Sequence, residues 1–185
     1  MLRTIALQKE TLKTKSAAIL TAVVLAVALP QLFHIAGAVS GTGTALGQAF
    51  LPMHLPILLI GLLAGPFVGV TAGALSPLLS FALTGMPVAA MVPFMMIELA
   101  GYGLFAGLLM QTKMPVIAKL LLAQLAGRVL RAAAVLIAVY GMGSESIAVS
   151  SIWTSIAAGL PGLALQWCLI PLAVFWLQNR EKRHA

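Results

Sequence analysis

Residues 50–107 read FLPMHLPILLIGLLAGPFVGVTAGALSPLLSFALTGMPVAAMVPFMMIELAGYGLFAG, and Glu98 is the one formal charge among them. No polar run within this stretch is long enough to leave a bilayer for any distance. Gly61, Gly65, Gly69 and Gly73 recur every fourth residue, a spacing that lines glycines along one helix face, where backbones in lipid pack closely. The Gly65-Pro66 step interrupts that face, because proline removes a backbone donor and breaks a helix interior. The expectation is two short helices folded back on each other with glycine at their contact. The second ends at the turn Thr84-Gly85-Met86-Pro87, and a further helix starts from Val88.

Composition extends this reading to the whole chain. Of 185 residues, 61% are hydrophobic and only 8% charged, and the mean hydropathy is +1.07. A soluble domain of this length needs far more surface charge. Several apolar runs reach the roughly 20 residues of a spanning helix. The expected architecture is all-α: six transmembrane helices in one compact bundle, a single domain over residues 1–185. The net charge of +7 would point to nucleic acid in a soluble protein. Here the basic residues flank apolar runs, so the charge is topological and no nucleic-acid partner is expected. The lone Cys168 lies within a late apolar run as a packing residue.

The segment before Ser16 carries Arg3, Lys9, Lys13 and Lys15 with Glu10, and an apolar run comes after it. Together with Ala36-Gly37-Ala38 this resembles a cleaved signal peptide. The long leader and the continuation through Pro30 to Ile35 favour a retained first transmembrane helix. Ala18, Ala22 and Ala26 repeat at a spacing of four within it, a small-residue stripe that alanine abundance alone also produces. Residues 37–52 (GAVSGTGTALGQAFLP) form an uncharged, glycine- and threonine-rich connection, either a passive linker or a lid that includes Gln48. His54 stands at the start of the second helix, with Pro56 suited to a first turn. His54 and His34 both have the ordinary role of interfacial anchors as an alternative to ligand contact.

The remaining polar residues inside apolar runs form one constellation. Glu98 shares a helix face with Tyr102, four residues on. Gln124, Arg128 and Arg131 share a face of the fifth helix, which runs from Pro115 to about Gly141. Counting about 1.5 Å per residue places Glu98 and Arg128 near mid-membrane and Arg131 further out. A mid-membrane carboxylate is costly unless paired, so Glu98 is expected to face the bundle interior and meet an arginine. If it takes Arg128, Arg131 is left without an acid and either binds an anion or snorkels to the headgroups. The sixth helix runs from about Ser151 to Leu177 with a kink near Pro161-Gly162. Trp153 at its outer end is an aromatic-belt anchor or a ligand contact.

Lysine and arginine occur before the first helix, around Gln111–Pro115, and in the tail with Arg180, Lys182 and Arg183. The connections 37–52 and 142–150 contain none. The positive-inside rule then assigns both termini to the cytoplasm. Enzyme signatures are missing: the sequence has no aspartate, no H-E-x-x-H, no G-x-S-x-G and no phosphate-binding loop, so neither a metal site nor a cofactor is expected.

The runs MHLPILLIGLLAGPFVGVTAGALSPLLSFALTGMP and IELAGYGLFAGLL resemble the substrate-binding S components of energy-coupling factor vitamin transporters, closest to the pantothenate-type branch. The resemblance implies a non-catalytic subunit in a bacterial-type plasma membrane that captures a small vitamin or precursor. It further implies a transmembrane coupling subunit (T component) and two ATPase subunits as partners, with the Ala18, Ala22, Ala26 stripe as the coupling-subunit interface. The candidate substrate-binding set is His54, Glu98, Tyr102, Gln124, Arg128, Arg131 and Trp153. A small transporter or channel working without ATPase partners is the alternative.

Topology mapping checks the orientation. Reporters fused at Ala185 and within the Gln111–Pro115 turn should read cytoplasm, and one at Gly43 should read outside. An external C-terminus contradicts the six-helix reading.

Overall fold

The structure, a computed structural model, describes residues 12–184, with side chains for 12–177 and 179. The leader residues Arg3, Lys9 and Glu10 and the tail side chains Arg180, Lys182 and Arg183 lie outside the described residues. Among the described residues, the α-helices in chain order are α1 Leu12–Ser40, α2 Ala45–Phe50, α3 His54–Ala64, α4 Pro66–Thr84, α5 Val92–Leu109, α6 Val116–Leu136, α7 Ser151–Ala158 and α8 Leu160–His184. A 3₁₀ turn at Ala89–Met91 leads into α5, and a π-helical turn at Ile137–Gly141 ends α6. Six of the described segments are long and apolar enough to cross a membrane: Leu12–Ser40, Ala45–Ala64, Pro66–Thr84, Ala89–Leu109, Val116–Gly141 and Leu160–Leu177. The protein is thus an all-α, multi-pass membrane bundle.

The Gly65-Pro66 step does break the second apolar run. Gly65 adopts φ +89°, a conformation side chains oppose, and Pro66 opens α4 in its first turn. Pro93 likewise sits in the first turn of α5 rather than inside that helix. The glycine face, however, serves a different contact from the one expected. Added Cβ atoms on Gly69 and Gly73 would collide with the backbone of Gly103 and Leu99, and one on Gly61 would lie 2.7 Å from the Gly103 carbonyl oxygen. These glycines therefore bring α3 and α4 against α5, not chiefly against each other.

The opposite side of α5 uses the same device. A Cβ on Gly127 of α6 would run into the Tyr102 ring and lie 2.8 Å from the Glu98 carbonyl oxygen. Helix α5 is thereby held on both sides at backbone distance, and Leu99, Tyr102 and Ala106 are fully buried on it. Two apolar clusters flank it. One joins Leu58, Tyr102, Ala106, Leu120 and Ile170 from α3, α5, α6 and α8. The other joins Ala22, Ala26, Ile57, Ala72 and Leu99 from α1, α3, α4 and α5. Large apolar side chains such as Leu20, Phe67, Leu125 and Leu172 point outward, as expected where lipid is the solvent.

The packing corrects other expectations. Ala22 and Ala26 are 3% and 0% exposed and pack inside the bundle; their small size lets α1 approach α3 and α4, so the stripe is not a free face for a coupling subunit. Ala18, one turn earlier, is half-buried. The connection 37–52 is not one long loop, since α1 continues to Ser40 and α2 occupies Ala45–Phe50. Cys168 is exposed on α8, not packed. The expected single sixth helix is two, parted at Gly159, and α8 carries Pro171 within it.

At the C-terminal end of α5, Lys119 donates to the Met110 carbonyl at 2.8 Å. The lysine thus satisfies a helix-terminal acceptor as the chain turns into α6.

Gly103→Leu and Ala22→Trp should both lower the thermal midpoint in detergent, each by the equivalent of about 1–3 kcal/mol or more, the usual cost of overpacking. Leu83→Ala, at a position 74% exposed, should leave it within error. A tolerated Ala22→Trp contradicts the internal placement of the stripe.

Candidate functional site

The close contact of α5 with α6 through Gly127 sets the depth and rotation of the polar residues on both helices. Arg128 is the next residue after that glycine, and Arg131 lies one turn further along the same face. Both guanidinium groups reach Glu98, which is fully buried. Arg131 Nη1 donates to Glu98 Oε2 at 2.8 Å. Arg128 Nε makes an ionic contact of 3.2 Å with Glu98 Oε1. The Tyr102 hydroxyl donates to the same Oε1 at 3.0 Å. The carboxylate is thus shared between the two arginines, and Arg131 makes the shorter contact. The expected Glu98–Arg128 contact is present; the expectation that Arg131 is left without an acid is corrected, because it shares the same carboxylate.

Two cations against one carboxylate leave the cluster with one surplus positive charge. The arginine side chains are each only 12% exposed, so water screens little of it. Their donors are not all used. Arg128 Nη1 reaches Ser155 Oγ at 3.4 Å, whereas Arg128 Nη2 and Arg131 Nε are buried with no hydrogen-bond partner. Buried donors without acceptors are unusual and costly. The Arg128 Nη2 atom lies beside the α7–α8 break: a Cβ on Gly159 would be 3.2 Å from it and 2.7 Å from Leu51 Cδ1. Guanidinium offers parallel N–H pairs that match a carboxylate, so the chemistry open to this cluster is anion binding.

His54, the first residue of α3, is 4% exposed and its ring centroid lies 5.3 Å from that of Tyr102. It belongs to the wall of the cluster; the interfacial-anchor role is ruled out by burial. His34 packs beside Gly47 of α2. Gln124 is buried but committed elsewhere: its Nε2 donates to Gln166 Oε1 at 2.8 Å, and its Oε1 accepts from Trp167 Nε1 at 2.7 Å. Gln166 Nε2 in turn points to the Leu51 carbonyl at 3.4 Å. Gln124 therefore ties α6 to α8 and, through Gln166, to the segment entering α3, and both atoms of its amide already have a protein partner.

Two named residues do not join the site. Trp153 is 72% exposed and stands on the outside of α7. Gln48 is exposed on α2, with its amide turned back to Thr44 Oγ1 at 3.4 Å; Leu51, not Gln48, is the residue of this segment that meets Gly159 next to Arg128. The site also includes residues that no sequence signal singles out, chiefly Ser155 and Gly159. Among the described residues no group of three His, Cys, Asp or Glu side chains comes together to hold a metal ion. A separate groove of about 420 Å³ between α3 and α8 is lined by Leu55, Leu59, Leu169, Ile170, Leu172, Ala173 and Trp176. It shares no residue with the charge cluster.

No family model, curated protein or solved structure matches the chain. The charge cluster itself therefore carries the functional reading.

The Gln124 tie can be measured separately from the arginines. A double-mutant cycle on Gln124→Leu and Trp167→Phe, followed by unfolding in detergent, should give a coupling of about 0.6–2 kcal/mol, the range for polar contacts between membrane helices. Additive effects contradict the hydrogen bond.

Proposed function

We propose that the protein is the substrate-binding S subunit of an energy-coupling factor transporter and captures an acidic vitamin or precursor, pantothenate being favoured. The observation that carries the reading is the buried Glu98–Arg128–Arg131 cluster, with one charge in surplus and guanidinium donors that no protein acceptor meets. Arginines held inside a membrane bundle are costly and mark a substrate path or site. A ligand carboxylate supplies the missing negative charge and the missing acceptors together. A neutral vitamin such as pyridoxine supplies only the second.

On this reading both termini lie in the cytoplasm of a bacterial-type cell, and the cluster is reached from the outside. Gly159 at the α7–α8 break has both Leu51 Cδ1 and Arg128 Nη2 as near neighbours, and on this reading the α2–Leu51 segment is what yields to admit a ligand. The chain binds and does not catalyse. ATP hydrolysis belongs to two ATPase subunits, coupled through a transmembrane T component. With Ala22 and Ala26 enclosed in the bundle, the surface meeting that component lies elsewhere.

Arg131→Met should weaken pantothenate binding to the purified protein by about 2–5 kcal/mol, the range for truncating one partner of a buried charge pair. Isothermal titration measures this directly. Unchanged affinity in the variant contradicts the assignment.

A further inference from the structure

The unusual feature of the cluster is its stoichiometry. A site built only to bind an anion has no need of a buried acid, and a structural ion pair has no need of a second arginine. Here one fully buried carboxylate uses both of its oxygens on two guanidinium groups. The Tyr102 hydroxyl also donates to Oε1 and helps fix the carboxylate in place. Each arginine still keeps at least one buried nitrogen that Glu98 does not satisfy, Nη2 of Arg128 and Nε of Arg131. The carboxylate thus consumes one positive charge and leaves a defined remainder.

Resting on the anion-binding reading above, we infer that Glu98 is the specificity residue that sets the charge of the ligand. Its negative charge subtracts one from the two arginines, and the site is matched to a single carboxylate. In a medium of low effective dielectric, one uncompensated charge a few ångströms from a ligand outweighs any single neutral hydrogen bond. Net charge within the cluster, more than the identity of the arginine that carries it, then decides how strongly the site prefers an acid to its uncharged analogue.

The test removes charge and then restores it. The probes are pantothenate, a monoanion, and panthenol, the same skeleton with an alcohol in place of the carboxylate. The quantity read is the ratio of their dissociation constants in the parent, Glu98→Gln, Arg131→Met and the double variant. The parent should prefer pantothenate. Glu98→Gln should raise that preference by roughly tenfold or more, and Arg131→Met should reduce it to about threefold or less. The double variant returns the cluster to one surplus charge and should recover most of the parental preference.

A purely structural role for Glu98 makes the double variant at least as impaired as Arg131→Met alone, and that result overturns the inference. So does a Glu98→Gln variant whose preference falls. If Glu98→Gln does not fold, Arg131→Lys against Arg131→Met decides: the lysine keeps the cluster's net charge and should hold most of the parental preference, and an equal loss in both overturns the inference. A parent protein that binds neither probe, or both equally, contradicts the anion-binding reading itself and is thereby distinguished from failure of the charge-setting role.

Discussion

A carboxylate at the centre of a membrane bundle must find its counter-charges within the chain, since neither lipid nor water supplies them there. Glu98 meets that constraint with Arg128 and Arg131 from the neighbouring helix. The pairing demands that α5 and α6 lie close and keep one register, because a slip of one helical residue turns both guanidinium groups away from the acid. Much of the bundle can be understood as what holds α5 in the position that this contact requires.

Lipid provides no hydrophobic force between helices, so close packing has to do that work. Gly69 and Gly73 on α4 and Gly127 on α6 approach α5 from opposite sides, at distances that exclude a Cβ. Tyr102 occupies the space left by Gly127 and donates to Glu98 from its own helix. A second polar tie, Gln124–Gln166–Trp167, joins α6 to α8 and reaches the Leu51 carbonyl. The charge cluster and this tie converge on the segment around Leu51 and Gly159. The apolar groove between α3 and α8 lies outside that convergence.

Helix number and approximate span were legible in the sequence because apolar length is a direct physical requirement of crossing a bilayer. The pairing of Glu98 with arginine was legible for a similar reason: intramembrane charge is rare, costly and has few partners to choose from. Direction around a helix axis was harder. In an apolar helix both faces look alike, so the Ala22 stripe did not reveal that it faces inward, nor Trp153 that it faces out. Glycine spacing showed that a helix face was smooth, but not that α5 was the helix it met. Ser155 and Gly159 carry no intrinsic signal, and they matter only because the α7–α8 break sets them beside Arg128. His54 resembled an interfacial residue until folding enclosed it.

The surplus charge of the cluster is there, on the reading proposed, for an acid that comes from outside the protein. Native mass spectrometry of the protein purified in mild detergent tests this most directly, because a ligand carried from the cell needs no prior guess at its identity. One small monocarboxylic acid bound per chain is the expected result in the parent, with its loss in Arg131→Met. An uncharged or cationic compound bound one to one, and retained by the variant, would contradict it.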